Sequence, residues 1–591
     1  MKNKLLYLMF AAVLLSLTPS CLNDVLDKKN LSIISEDVVW DDPNLVDSYL
    51  AHKYSRMSIF QFECPGNISD YWFQHYSFMI VSILSDEAGN GVWFGEFAAP
   101  FKAGGLTISG GLLDWWNTAY SIIRELNMLI EKLPESANEP GFIESRTAEA
   151  RFLRAFNYFA LVKRYGGVPL ITHTIALDAP EEELYPARNS EKEIYDFVID
   201  EMDAIEESLK ATTEFGRATQ GAALALKCRA ALYAGSIARY GTVQLNGLLG
   251  IPQDQAASYY QKSLDAANKI KTCGHSLYNG DADRVENFKN VFLKERNSEI
   301  IFAKQYDVTQ NPWKYDFMLC PKPHGYDAGM AGGIYLEMVE EFEYTDGRPG
   351  TIDRNALQSN LWNMEELWEG RDPRFFASVW TNETPWKGGK IDSHRGIIGS
   401  DGVLYENQQD AYGGIPAWGN QNQYGDFGTG FGVLKMLDET SNANIDERTG
   451  TDCPVFRYGE VLLNLAESAF ELGRTDEALD AVNQIRDRAG IARKTSVDME
   501  TIRHERKVEL FFEGHRYWDL RRWRMAVDKL SKPGSGVRFI LDYDTRKYKI
   551  SVLNDYDGTT TPPRFYEQHY YFPVTLSRTG QNPNLVENPG Y

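Results

Sequence analysis

Positive charge is scarce in this 591-residue chain: 61 lysines and arginines face 83 aspartates and glutamates, for a formal net charge of −22. A surface of that sign repels phosphate backbones and anionic lipid, which argues against nucleic acid as a partner. Cysteine is scarce too, with six residues and no CxxC spacing. Cys21 belongs to the leader described below. The other five, Cys64, Cys228, Cys273, Cys320 and Cys453, are odd in number and widely spaced, against a disulfide framework or a zinc site. After the leader no segment is apolar enough to cross a membrane. Catalytic motifs are missing as well. No GxSxG occurs, and His504-Glu505 opens a zincin-like pattern in which Val508 stands where the second histidine belongs. Asp426-Phe427-Gly428 has no kinase partner motifs, and the glycines from Gly428 to Gly432 lack the strand-to-helix context of a phosphate loop. Asp86 and Glu87 are adjacent acids on one loop, an arrangement that rarely flanks a glycosidic bond.

What is present begins with a leader. Lys2 and Lys4 precede an apolar run from Leu5 to Leu17, and Thr18-Pro19-Ser20-Cys21 follows. The layout is that of an export signal over residues 1–20. A cysteine after a small residue reads as a lipoprotein signal with Cys21 lipidated; the plainer alternative is a cleaved signal with an incidental cysteine. Acyl chains on Cys21 would supply the membrane attachment.

Helical periodicity predicts Leu112–Leu133, Arg146–Tyr165, Glu191–Leu209, Ala218–Tyr240, Ala256–Lys271, Val455–Leu472 and Thr475–Ala489. Small residues such as Ala466, Ala469, Ala478 and Ala481 recur where two helices touch. The expected class is mainly α, with diverged tetratricopeptide-type helix pairs as a scaffold. In Arg146–Tyr165, Phe152, Phe156 and Phe159 share a spacing that places them in the core, and Arg151 and Arg154 are expected to pair with carboxylates. Between about 300 and 450 glycine, proline, asparagine, aspartate and aromatics replace the long periods. Segments rich in rings are not disordered, so these are read as ordered long loops carried by the helices.

The stretch "EARFLRAFNYFALVKRYGGVPL", beginning at Glu149, resembles the signature of the SusD/RagB family of outer-membrane nutrient-binding lipoproteins of the Bacteroidetes. Further pieces fit in order: "SDEA" from Ser85, "RATQGAALALKCRAALY" from Arg217, "FEYTDGRP" from Phe342, "DPRF" from Asp372, "VFRYGEVLLNLAESAFELG" from Val455, "RHERKVELFFEGHRYWDLRRW" from Arg503 and "NPNLVENPGY" from Asn582. The resemblance covers essentially the whole chain after the leader. It implies a single SusD-like unit over 21–591, with a helical part to about 240 and a loop-bearing part from 241. It further implies a non-enzymatic protein without cofactor, anchored to the outer membrane and facing outward, that passes oligosaccharide to a SusC-like TonB-dependent transporter. Asp24 and Asp27, close behind Cys21, loosely resemble the surface-export signal of these organisms.

Flat rings cover the C–H faces of a sugar at little entropy cost, and amides and charged groups bond its hydroxyls. That mixture selects Asn90, Trp93 and Phe94 just after "SDEA", then Tyr306, Trp313, Tyr315 and Tyr326, then Trp418 with Tyr424, Asn420 and Gln421. Starch-binding relatives draw ligand aromatics from the first two of these regions. For each single ring, burial in the core is as compatible with the sequence as ligand contact. Trp115, Trp116, Trp518 and Trp523 lie inside helical motifs and are expected in the core. Two other readings stay open: the same scaffold binding peptides, and a secreted glycoside hydrolase.

Overall fold

The computed structural model describes residues 36–64, 77–89, 95–210, 214–321, 333–419, 428–441, 448–556 and 562–591. The leader, Cys21, Asp24 and Asp27 lie outside them. A layer of helices runs through most of the molecule: α1 (Pro43–Arg56), α2 (Trp116–Lys132), α3 (Pro140–Tyr165), α4 (Glu191–Ile205), α5 (Gln220–Tyr240), α6 (Ala256–Ile270), α7 (Tyr458–Glu471) and α8 (Thr475–Ala489). From α2 to α8 each helix packs on the next in chain order. The architecture is therefore mainly α, a stack of helix pairs, although about 190 residues separate α6 from α7. No helix of the described residues is long and apolar enough to cross a membrane.

Local chemistry sets the ends. Pro140 and Gly141 do not break α3 but begin it, because the first turn of a helix needs no N–H from its N1 residue. The helix ends at Gly166, and Pro169 prevents its resumption. Ser190 and Glu193 form a capping box on α4, and the Thr219 hydroxyl accepts from Ala222 N on α5. Phe152, Phe156 and Phe159 are fully buried, and Trp115, Trp116, Trp518 and Trp523 are buried with them. Arg151 and Arg154 both reach Glu201, at 2.7 and 2.9 Å.

Strand β1 (Ile300–Lys304) precedes a long excursion that returns as β5 (Cys453–Arg457). The two pair antiparallel, with Ile300 opposite Arg457 and Lys304 opposite Cys453, so the ends of the excursion are held together. Residues 455–457 thus continue this strand rather than starting α7. Within and after the excursion, β2 (Leu361–Trp362), β3 (Ile397–Ile398), β4 (Leu404–Tyr405), β6 (Gly536–Asp542) and β7 (Tyr548–Leu553) form one sheet in the order β2-β7-β6-β3-β4. One apolar core fills the helical stack and a second fills the excursion.

Between the two lies a buried charge network. Helix α9 (Met499–Glu509) and the turn after it supply Glu505, Glu509 and Glu513. Arg374 reaches Asp372, Glu505 and Glu509; Arg457 reaches Glu299, Glu509 and Glu513; Arg486 joins Glu343 to Glu505. Arg488 adds Glu299 and Glu509, while Lys435 and Lys494 close on Glu513 and Glu343. Six cations and six carboxylates therefore balance, which is the condition for keeping so much charge out of water.

A candidate binding site where the loop roots meet

The "SDEA" stretch is a clamp. Ser85 donates to Ser82 O at 2.7 Å and accepts from Glu87 N at 3.1 Å. Asp86 receives two bonds from Arg516, at 2.7 and 2.9 Å, at the start of α10 (Arg516–Arg522), and Lys507 of α9 stands 3.3 Å away. Burial raises the Asp86 pKa, but the two cations outweigh it and hold the carboxyl well below its ordinary range. Glu87 is buried as well and accepts from Phe512 N at 3.3 Å. Burial first, then the Asp86 charge, pushes its pKa up to about 7. One acid is thus committed to an arginine and the other to backbone, so the pair is a fastening rather than a catalytic couple.

The clamp fixes where four chain segments meet. Ala88 forms an antiparallel bridge with Ile334, Gly89 N donates to Gly333 O at 2.8 Å, and Tyr335 N donates to Glu87 O at 3.1 Å. Lys102 donates to Ala88 O at 2.9 Å and also to the Tyr335 hydroxyl. Ile334 N in turn donates to Phe431 O at 3.3 Å, and Val537 N to Thr429 O at 2.7 Å. Gly536 must be glycine here, because a Cβ would lie 2.7 Å from Thr429 Cα. Gly428 N donates to the Tyr556 hydroxyl at 3.1 Å, and Tyr556 N to Gly534 O at 2.8 Å. Segments 88–89, 333–335, 428–431 and 534–537 therefore lie side by side. The first three are the roots of residues 90–94, 322–332 and 420–427; the fourth, at the start of β6, holds Tyr556, which precedes 557–561.

Asn90, Trp93, Phe94 and Tyr326 lie outside the described residues, as do Asn420, Gln421 and Tyr424; what the structure brings together is their flanking chain. Trp418 is half-buried at the other root of 420–427, bridged to Arg395, whose guanidinium is 5.8 Å from the indole. Arg395 N donates to Phe539 O at 2.7 Å, so this root also rests on β6.

Tyr306, Trp313 and Tyr315 stand elsewhere and play another part. All three are buried, at 8, 6 and 0% exposure. Tyr306 covers one face of Trp313, at 4.7 Å and 9° between planes, and Tyr315 stacks on it at 4.8 Å and 26°. The indole N–H donates to Thr451 O at 2.9 Å and the Tyr315 hydroxyl to Lys435 O at 2.8 Å. With its faces taken by two tyrosines, Trp313 offers no platform for a sugar. The expectation of ligand contact is corrected for these three rings: they form an internal column that fastens the start of the excursion to its end.

The sequence reading missed this base, because the partners that fix "SDEA" to the rest of the fold, from Gly333 to Arg516, lie more than 240 residues away. The clamp has a measurable pH signature. Glu87 holds its proton more tightly folded than unfolded, so the fold loses stability as pH rises from the ordinary carboxylate range, about 4.3, through about 7. Glu87→Gln is expected to fold and to flatten that loss, measured as melting temperature between acid and neutral pH. An unchanged pH slope would remove Glu87 as its source.

Two family models match the chain: one described as the SusD family over residues 298–591, and one described as starch-binding associating with outer membrane over 106–232. A SusD-like protein of Formosa agariphila is 25% identical over 70% of this chain and 72% of its own. The starch-binding protein SusD of Bacteroides thetaiotaomicron is 25% identical over 75% of this chain and 72% of its own. Among solved structures, a SusD-like protein of Bacteroides fragilis superposes with a TM-score of 0.72 at 26% identity, covering 94% of this chain and 99% of the other. Where these relatives' names state an activity it is binding, not catalysis.

Proposed function

Because the chain belongs to the SusD/RagB family, we propose that it is a non-catalytic carbohydrate-binding protein of the outer membrane, which captures oligosaccharide at the loop roots and hands it to a SusC-like TonB-dependent transporter. The observation that carries this reading is the convergence of the roots of 90–94, 322–332 and 420–427 on one clamped base. Two of these loops carry rings and amides chosen for sugar chemistry, and the third carries Tyr326. Rigid roots reduce the ordering cost of a binding loop, which otherwise subtracts from affinity. The names of the matching family model and of the Bacteroides thetaiotaomicron relative point to the same ligand class and location. Lipidation of Cys21 and outward display complete the proposal; membrane fractionation of Cys21→Ala and protease shaving of intact cells check them, and a transporter band on co-purification checks the partner.

The binding test uses the soluble chain without residues 1–21 on a glycan array, followed by titration of the best ligand. Trp93→Ala is expected to weaken binding about ten- to a hundredfold, on the order of 1–3 kcal/mol for one stacking ring, with an unchanged melting temperature. No glycan bound, or wild-type affinity in both Trp93→Ala and Trp418→Ala, rejects the site. Binding of peptides in place of glycans changes the cargo, and release of reducing sugar rejects the non-catalytic reading.

A further inference from the structure

Along β1 the surface sinks into two neighbouring cavities of about 350 and 180 Å³. The first lies by the start of α5, around Phe215, Gln220 and Arg296; the second lies between α1 and β1, around Lys304 and Gln305. Gly216 borders both. Its φ is +87°, a conformation that disfavours any side chain, and the Gln305 side chain lies directly over it, on the saddle between the cavities. None of these residues belongs to the loop roots.

The groove's charge is opposite to that of the whole molecule. Arg217, in its wall, is satisfied by Asp47, Glu149 and Glu214 at 2.9–3.0 Å. Arg296 and Lys304 are not: among the described residues neither forms an ion pair. The Arg296 guanidinium lies 5.5 Å from the Phe215 ring, and Lys304 Nζ is 3.5 Å from Ser55 O. Lys304 is half-buried, and burial pulls its pKa down to about 8, so a carboxylate placed beside it would favour its charged form.

We propose that this groove binds an acidic oligosaccharide, carrying carboxylates on more than one sugar. A guanidinium takes a carboxylate through two parallel N–H···O bonds, a lysine takes a second as a point charge, and two cavities that share a border suit a chain rather than a single sugar. Phe215 offers a face to C–H groups, and Gln220 and Gln305 offer amides to hydroxyls. The saccharide part rests on the reading of the protein as a carbohydrate binder; the anionic part rests on the groove alone.

The experiment titrates the soluble chain without residues 1–21 with a galacturonate trimer and with the uncharged galactose trimer, at low and high salt. The acidic trimer is expected to bind, to weaken with salt, and to lose about tenfold in affinity in Arg296→Gln and in Lys304→Gln, while melting temperatures hold. Lys532→Gln, which removes an exposed lysine paired with Asp528, should change nothing. Absence of acidic-trimer binding overturns the proposal. So does an equal loss in Lys532→Gln, which would mean a diffuse field, or a loss in Trp93→Ala without one in the groove variants, which would place the ligand on the loops. Tighter binding of an acidic tripeptide than of the trimer overturns the saccharide class. Failure of the loop site is read separately, from glycan-array ligands and Trp93→Ala.

Discussion

Glu509→Gln is expected to cost the fold about 3–5 kcal/mol, the range for removing one partner from a buried ion network. The Glu509 carboxylate is fully buried and accepts from Arg374 at 3.0 Å, from Arg457 at 2.6 Å and from Arg488. The amide keeps the volume but removes the charge, leaves the network one cation in excess, and turns an N–H₂ group toward guanidinium donors. Burial alone would raise the pKa values of Glu505, Glu509 and Glu513, yet the surrounding arginines, with Lys435 beside Glu513, hold all three below their ordinary range. Their contribution is therefore fully present above the unfolded pKa, about 4.3, and disappears as pH falls through the lower folded values. Denaturant unfolding at neutral pH tests the first statement; a loss under about 1 kcal/mol would show that the network tolerates imbalance. Acid titration of the wild-type chain tests the second.

Trp313→Ala is the other large effect, and its direction separates two roles that look alike in sequence. Truncating a buried tryptophan removes its contacts and leaves a cavity, a cost of about 3–5 kcal/mol. Here it also unstacks Tyr306 and Tyr315 and strands Thr451 O. Melting temperature should fall sharply, and Trp313→Phe should restore part of it. Reduced glycan binding alone, with an unchanged melting temperature, would return Trp313 to the ligand site. The same substitution at Trp93 is expected to do the reverse, which makes the pair informative when measured together.

The helices were legible because their evidence is local. Thr475–Ala489 is bounded as its periodicity indicates, since Gly490 closes it with φ +75°. Helix α3 begins at Pro140, six residues before the Arg146 that periodicity gives, because a proline at N1 and one between helices look the same in one dimension. Val455–Arg457 was joined to α7 because no turn signal separates its apolar residues from those of the helix; only β1, about 150 residues earlier, makes it a strand. Trp313 sits among proline, asparagine and aspartate and so resembles a loop tip, while the rings that bury it include Phe62, about 250 residues earlier, which no local window holds. The charge network was hidden because the motif from Arg503 to Trp523 supplies three of its carboxylates while the other partners, from Glu299 to Lys494, lie elsewhere in the chain. A trace was present: Glu505, Glu509 and Glu513 recur every four residues beside Val508, Phe511 and Phe512, a carboxylate stripe against apolar neighbours.

The pairing of β1 with β5 has a consequence for how such proteins diversify. A chain segment whose two ends are already adjacent adds or loses residues at little entropic expense, on the order of 0.6 kcal/mol for a doubling in length. Everything between Lys304 and Cys453 is bounded by this clasp. The helical stack therefore tolerates large rewriting of that interval as long as the two strands keep their register and the interval still supplies Glu343, Asp372, Arg374 and Lys435 to the charge network. New ligand surfaces can be tried on an unchanged frame, much as a tool holder accepts different heads.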